Sequence, residues 1–313
     1  MIDQEKYVKI VVNPLEKRQE KTGGGVNNTD ATFTENGIYV APEPYTGFGT
    51  VTVNVPEPVN FGLNINQWGG SVDINGNYEH TGTCTPNFTG VKNIGAYGMQ
   101  YKFAHRGDIV GTVSFGDLET VGDYGLERAF DSCEYLEGIN FSKLGNVGSR
   151  GLQYVCNACS RLTHADISSI TVIGQDGLSN SFRDCVNLEE ADVSNIEEIG
   201  SYGMYQTFDG CSKIKVLRFT KLSVITGGYA LYSCCYYCYA LKNVYFNALT
   251  SQSFGTNKTQ LRSFLGRVTG CTLHFPSNLD PATGSTVISG LTDYPNFGGT
   301  NTVLAFDLPA TES

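Results

Sequence analysis

Between residues 113 and 243 one stretch of sequence recurs five times, as residues 113–138, 139–164, 165–190, 191–216 and 217–243. Leu126, Leu152, Leu178 and Met204 stand 26 residues apart, and Leu231 follows 27 later. The same rhythm carries Phe130, Cys156, Phe182, Phe208 and Cys235, and then Cys133, Cys159, Cys185, Cys211 and Cys238. A degenerate earlier copy holds Ile94, Gly98, Met99, Phe103 and Ile109. Self-similarity with a period of about 20–50 residues is the mark of a solenoid, in which each copy buries its apolar side against the next.

Each copy has two parts. In the fourth, Ala191 and Val193 are apolar while Glu190 and Asp192 are polar, an alternation that predicts a short strand with one buried face. A polar connection, residues 194–198, leads to a turn at Ile199 and Gly200. Met204, Phe208, Cys211 and Ile214 follow at spacings of 4, 3 and 3, which predicts about two turns of helix with these side chains on one side. The expected fold is therefore an α/β solenoid, a leucine-rich-repeat-like stack of short parallel strands and short helices. A lone copy has too few apolar side chains to offset the entropy of ordering it, so stability must come from stacking. Gly98, Gly125, Gly151, Gly177 and Gly203 give way to Ala230 in the last copy. Alanine does not readily take a positive φ, so the position reads as a place where coils pack closely.

The pattern Ile199-Gly200-Ser201-Tyr202-Gly203-Met204, with Cys211 and Ile214 after it, resembles the BspA-like leucine-rich repeat. Four extra residues, 205–208, precede the cysteine and lengthen the helical segment relative to that pattern. The resemblance runs from about Val91 to Phe275 and implies a solenoid with a binding role. Residues 30–56, with an Asn-Gly turn, a Gly-Phe-Gly turn and an alternating run ending at Val55, read as a small β module. This element resembles one that recurs in virion proteins of phages of gut Firmicutes and in surface proteins of those bacteria. The organisation expected is an arm and linker over residues 1–29, the β module over 30–56, an N-terminal cap over 57–87 that holds Trp68, the solenoid over 88–276 and a C-terminal β cap over 277–313. Cys271 to Phe275 reads as the final strand.

The net charge of −10 argues against nucleic acid as a partner, which would need basic clusters. No run of 18 apolar residues occurs, so no membrane insertion is expected. Residues 1–20 lack an apolar stretch after a basic start and do not read as a secretory signal. That leads to the expectation of a chain assembled in the cytosol, with its ten cysteines as free thiols.

The pairs Cys156/Cys159 and Cys235/Cys238 have C-x-x-C spacing, which admits a zinc or redox reading. In each, however, the second cysteine is the recurring one and the first replaces a phenylalanine, so both read as small core side chains. The four histidines are scattered, and no catalytic, cofactor or metal set emerges. The exposed face of the strands is the candidate surface. In register it would carry Thr112/Ser114, Gly138/Asn140, His164/Asp166, Glu190/Asp192, Val216/Arg218 and Asn243/Tyr245. Asn140, His164, Asp166, Glu190, Asp192, Arg218 and Tyr245 are the candidate binding residues, able to take a cation or sugar hydroxyls, with Tyr245 as a stacking platform.

The expected function is a phage virion protein of the fibre type. Its N-terminal region would meet other virion proteins and form a homotrimer, and its solenoid would meet a host-surface glycan or protein. The alternative is a bacterial cell-surface adhesin with the same repeats. Neither reading makes it an enzyme.

Overall fold

In the computed structural model the described residues are 88, 91–101, 103–107, 109–254 and 258–311, with the backbone of six short strands between residues 31 and 87. The arm over residues 1–29, Trp68 and the loops of the N-terminal module lie outside them.

The repeats form a parallel β-solenoid. Each coil has three walls. The front wall is a sheet of strands Gly111–Ser114, Leu136–Asn140, His164–Asp166 and Glu190–Ala191, continued by Val216–Phe219, Asn243–Phe246, Thr272–Pro276 and Val303–Leu308. The back wall stacks the two-residue strands Asn93–Ile94, Thr120–Val121, Asn146–Val147, Val172–Ile173, Glu198–Ile199 and Val224–Ile225. Alternation directs Val113, Ile139, Ala165, Ala191, Leu217, Val244 and Leu273 inward, where they are buried. Phenylalanines stack from coil to coil inside, as Phe219 on Phe246 at 5.2 Å and Phe246 on Phe275 at 5.4 Å between ring centroids.

The third wall corrects the expectation of helices. Residues 122–133 and their equivalents form a ribbon of successive turns. Alternate N–H groups bond three residues back: Gly125 to the Gly122 carbonyl at 2.9 Å, Ala129 to Leu126 at 3.0 Å and Cys133 to Phe130 at 3.2 Å. The N–H groups between them reach the next coil: Tyr124 to Ser149 at 2.9 Å, Leu126 to Gly151 at 2.8 Å and Phe130 to Val155 at 2.8 Å. Every fourth residue lies at positive φ, as Tyr124, Arg128 and Ser132 do here, and Asp176, Asn180 and Asp184 two coils on. The four-residue repeat of this ribbon is close to the 3.6 of a helix, so buried Leu126 and Phe130 give a helix-like spacing. A helix is roughly 10 Å across, whereas strands pair about 4.8 Å apart. A ribbon that bonds sideways keeps the strand pitch on this wall too, whereas helices would spread the coils there and curve the stack.

The glycine column agrees with the close-packing reading. A Cβ on Gly177 would stand 2.9 Å from Ile173 Cγ2 and 3.1 Å from the Gly174 oxygen, with no positive φ at that residue.

At the N-terminal end, strand Gly49–Val53 pairs in parallel with Cys84–Asn87, which meets Gly111–Ser114 through Asn87, so these strands extend the front sheet. At the other end Thr272–Pro276 is not the last strand. Residues 277–308 make a further coil whose strand Val303–Leu308 pairs in parallel with it. Among the described residues no helix is long and apolar enough to cross a membrane.

Candidate functional site

The front sheet sets the candidate residues in two columns. Gly138 pairs with His164 and His164 with Glu190, while Asn140 pairs with Asp166. Val216 pairs with Asn243 and Arg218 with Tyr245. His164, Glu190, Asp192 and Arg218 are exposed, and Asn140, Asp166 and Tyr245 are half-buried. Carboxylates in a column are separated by the strand pitch and do not converge. Among the described residues no three His, Cys, Asp or Glu side chains are grouped so as to hold a metal ion.

Three of the polar candidates shape the backbone. Asn140 Oδ1 accepts from the Ser142 N–H at 2.8 Å, Asp166 Oδ1 from the Ser168 N–H at 3.2 Å, and Asp192 Oδ1 from the Ser194 N–H at 2.9 Å. These are Asx turns that end each strand. One oxygen of each aspartate is committed to the turn.

Tyr245 cannot serve as a sugar platform. The Arg218 guanidinium lies 4.3 Å from its ring centroid on one side, and the His274 ring stacks at 4.2 Å on the other. His274 is fixed in turn by Asp307, 2.9 Å from Nδ1, and by Asn243 Oδ1, 3.1 Å from Nε2. The pairing of Tyr245 with His274 across adjacent strands was not read from the sequence, because the last strands fell outside the repeat pattern.

The front sheet is interrupted between Glu190–Ala191 and Val216–Phe219, which do not pair. The back wall and the ribbon stay bonded on either side. Glu198 pairs with Val224, and the Phe182 N–H reaches the Thr207 carbonyl at 3.0 Å. Across the break the inward residues change from Ala191/Val193 to Leu217/Phe219, and Ala191 is 9% exposed where Ile139 and Leu217 are fully buried.

A cleft of about 670 Å³ opens at this break. Glu189, Glu190 and Asp192 line one lip, Lys213, Lys215, Val216 and Arg218 the other, and Ala191 and Val193 the floor. Glu189 and Lys213 meet across it at 3.4 Å. Sequence reasoning missed the cleft. The repeat spacing runs through it unbroken, so no sequence signal marks it.

The C-x-x-C pairs are core. Each recurring cysteine donates its S–H to a carbonyl of the preceding coil: Cys159 to Phe130 at 3.1 Å, Cys185 to Cys156 at 3.0 Å, Cys238 to Phe208 at 3.0 Å. Burial pushes the thiols of Cys156, Cys185, Cys211 and Cys235 well up, and that of Cys271 up to about 12. All nine described cysteines are buried and free.

No family model matches the chain. No curated protein matches it either. Among solved structures it is similar to a leucine-rich cell surface protein from Faecalibacterium prausnitzii, with 12% identity over 89% of this chain and 88% of that one, and a TM-score of 0.24.

Proposed function

We propose that the chain is a non-enzymatic recognition protein of the adhesin type, displayed on a bacterial cell surface, that binds through the front face of its solenoid. The observation that supports this is the register: His164, Glu190, Asp192 and Arg218 are exposed on the front face, and the last three border its one break among the described strands. A rigid scaffold carrying a polar face with a local cleft suits binding. The resemblance of the repeat pattern to the BspA-like leucine-rich repeat supports the cell-surface setting. The element over residues 30–56 supports a second setting, a phage fibre trimerised through residues before about 90 and meeting a host glycan or protein. Immunogold labelling of intact cells against purified particles separates the two.

The face is tested by neutralising it without disturbing its turns. Asn140 already makes the Asx turn that Asp166 and Asp192 make, so Asp166→Asn with Asp192→Asn removes charge and keeps the acceptor. With Glu190→Gln added, the melting temperature should hold within about 2 °C, since surface changes stay within roughly 0.5 kcal/mol. Attachment to target cells should fall roughly tenfold, the equivalent of about 1.4 kcal/mol. Unchanged attachment would place recognition elsewhere on the chain.

A further inference from the structure

We propose that the break in the front sheet is a slot for an extended peptide segment, about four residues long, carrying side chains of both charges. The proposal rests on the reading of this face as the recognition surface and names what it takes.

The backbone at the break carries it. At neighbouring boundaries the chain entering each front strand is bonded to the coil before. The Thr163 N–H reaches the Glu137 carbonyl at 3.0 Å, Lys242 reaches Lys215 at 2.9 Å, and Thr272 reaches Lys242 at 2.8 Å. The equivalent bond from Lys215 to Glu189 is not made. At the strand ends, Phe115 bonds to Asn140 and Phe141 to Asp166, each at 2.8 Å, whereas Val193 does not reach Arg218. The fraying begins one strand earlier, where Ile167 does not reach Asp192. The slot is therefore edged by two N–H groups, of Lys215 and Val193, and two carbonyls, of Glu189 and Arg218, that elsewhere in the stack have partners. It is pinned at both ends, by the Ser212 hydroxyl on the Val186 carbonyl at 3.2 Å and by the Lys221 N–H on the Ser194 carbonyl at 3.1 Å. The open stretch, residues 189–193, is about 13 Å of strand, which sets the length of the occupant.

Donors and acceptors at β-ladder spacing match a peptide backbone. A saccharide offers hydroxyls at no such repeat, and no aromatic ring is among the described residues that line the cleft, while Tyr245 beyond Arg218 has both faces covered. In strand addition, backbone bonds supply affinity and flanking side chains supply specificity. The flanks here are of opposite sign: Glu189, Glu190 and Asp192 facing Lys213, Lys215 and Arg218. A segment alternating lysine and glutamate with small apolar residues fits both lips and the Ala191–Val193 floor.

The test uses the full chain and a library of acetylated, amidated pentapeptides built from Lys, Glu, Val and Thr. Members of mixed charge should be retained. N-methylation of the central amides of a retained peptide should weaken it roughly tenfold or more, because it removes donors without altering side chains. A disulfide between Glu190→Cys and Val216→Cys, positions that would face each other if the strands paired, should abolish binding by closing the slot, and its reduction should restore it. Retention of no peptide overturns the proposal. So does equal binding of the N-methylated form, or undiminished binding by the closed variant. Attachment of the full chain to cells, measured beside it with His164→Ala, distinguishes the failures. Attachment lost in that variant with no peptide retained sinks the slot alone. Peptide retained with no attachment of the unaltered chain sinks the surface reading.

Discussion

Asp209 is the carboxylate whose ionisation the stack disturbs. It sits on the ribbon wall, 5% exposed, with Gln206 Nε2 at 3.2 Å and Arg183 Nε at 3.5 Å. Burial, opposed by Arg183 and reinforced by Asp184, pushes its carboxyl up to about 6 from 3.8. A carboxyl with a raised folded-state pKa takes up its proton first in the folded chain. Its contribution is therefore fully present below about 3.8 and is lost as pH rises through about 6. Asp209→Asn should melt higher than the unaltered chain at pH 7.5, and the two melting temperatures should converge as pH falls to about 4. A gap that widens on acidification would overturn this account. The recurring cysteines make a different point at the same scale. Their S–H groups add a second hydrogen bond to core carbonyls that already accept a backbone N–H, Phe130 from Cys133 and Phe182 from Cys185, a contribution of about 0.5–1.5 kcal/mol each. Valine of similar size supplies no such donor.

Among elements, the ribbon is the unusual one. Non-glycine residues at positive φ cost roughly 1–2 kcal/mol each, and every coil of the repeat region holds them at four-residue intervals. The lateral hydrogen bonds offset that cost and exist only when coils stack. Exposed tyrosines on this wall extend the ladder, as Tyr97 on Tyr124 at 4.8 Å and Tyr202 on Tyr229 at 5.2 Å. Far-UV circular dichroism should therefore lack the paired helical minima near 208 and 222 nm that a strand-and-helix repeat would give; among the described residues the helical elements are two short 3₁₀ turns, Ser277–Leu279 and Pro281–Thr283. A strong helical spectrum would restore the strand-and-helix unit.

For the molecule as a whole, stability is a property of nearest-neighbour contacts between coils. Excision of residues 139–164, one full period, joins Gly138 to Ala165 at equivalent points of the coil. The shortened chain should fold with a single cooperative transition at a lower melting temperature. Excision of 13 residues from the same place puts front strands against ribbon and should abolish that transition. Equal tolerance of both deletions would contradict the coil register. The same scale holds the break. Back wall and ribbon carry the stack across it, which allows the front sheet to open at Glu190 and Val216 without dividing the core.

The repeat spacing by itself determined that the chain is a solenoid, which side chains face inward and which residues share a strand position. A 26-residue identity of environment admits only stacked coils in register, and alternation within each strand then assigns the faces. Asn140, His164, Asp166, Glu190, Asp192, Arg218 and Tyr245 could be placed on one face from that alone. Three things were decided by tertiary structure. The third wall is a ribbon of turns, because side-chain spacings of 4 and 3 fit a helix and a ribbon alike and only the hydrogen bonds between coils distinguish them. The last residues form a further coil, because pairing to Thr272–Pro276 needs backbone register and not repeat identity. The front sheet opens beside Ala191 although the repeat spacing runs on unbroken, because strand pairing is a relation between coils that no single copy of the repeat contains.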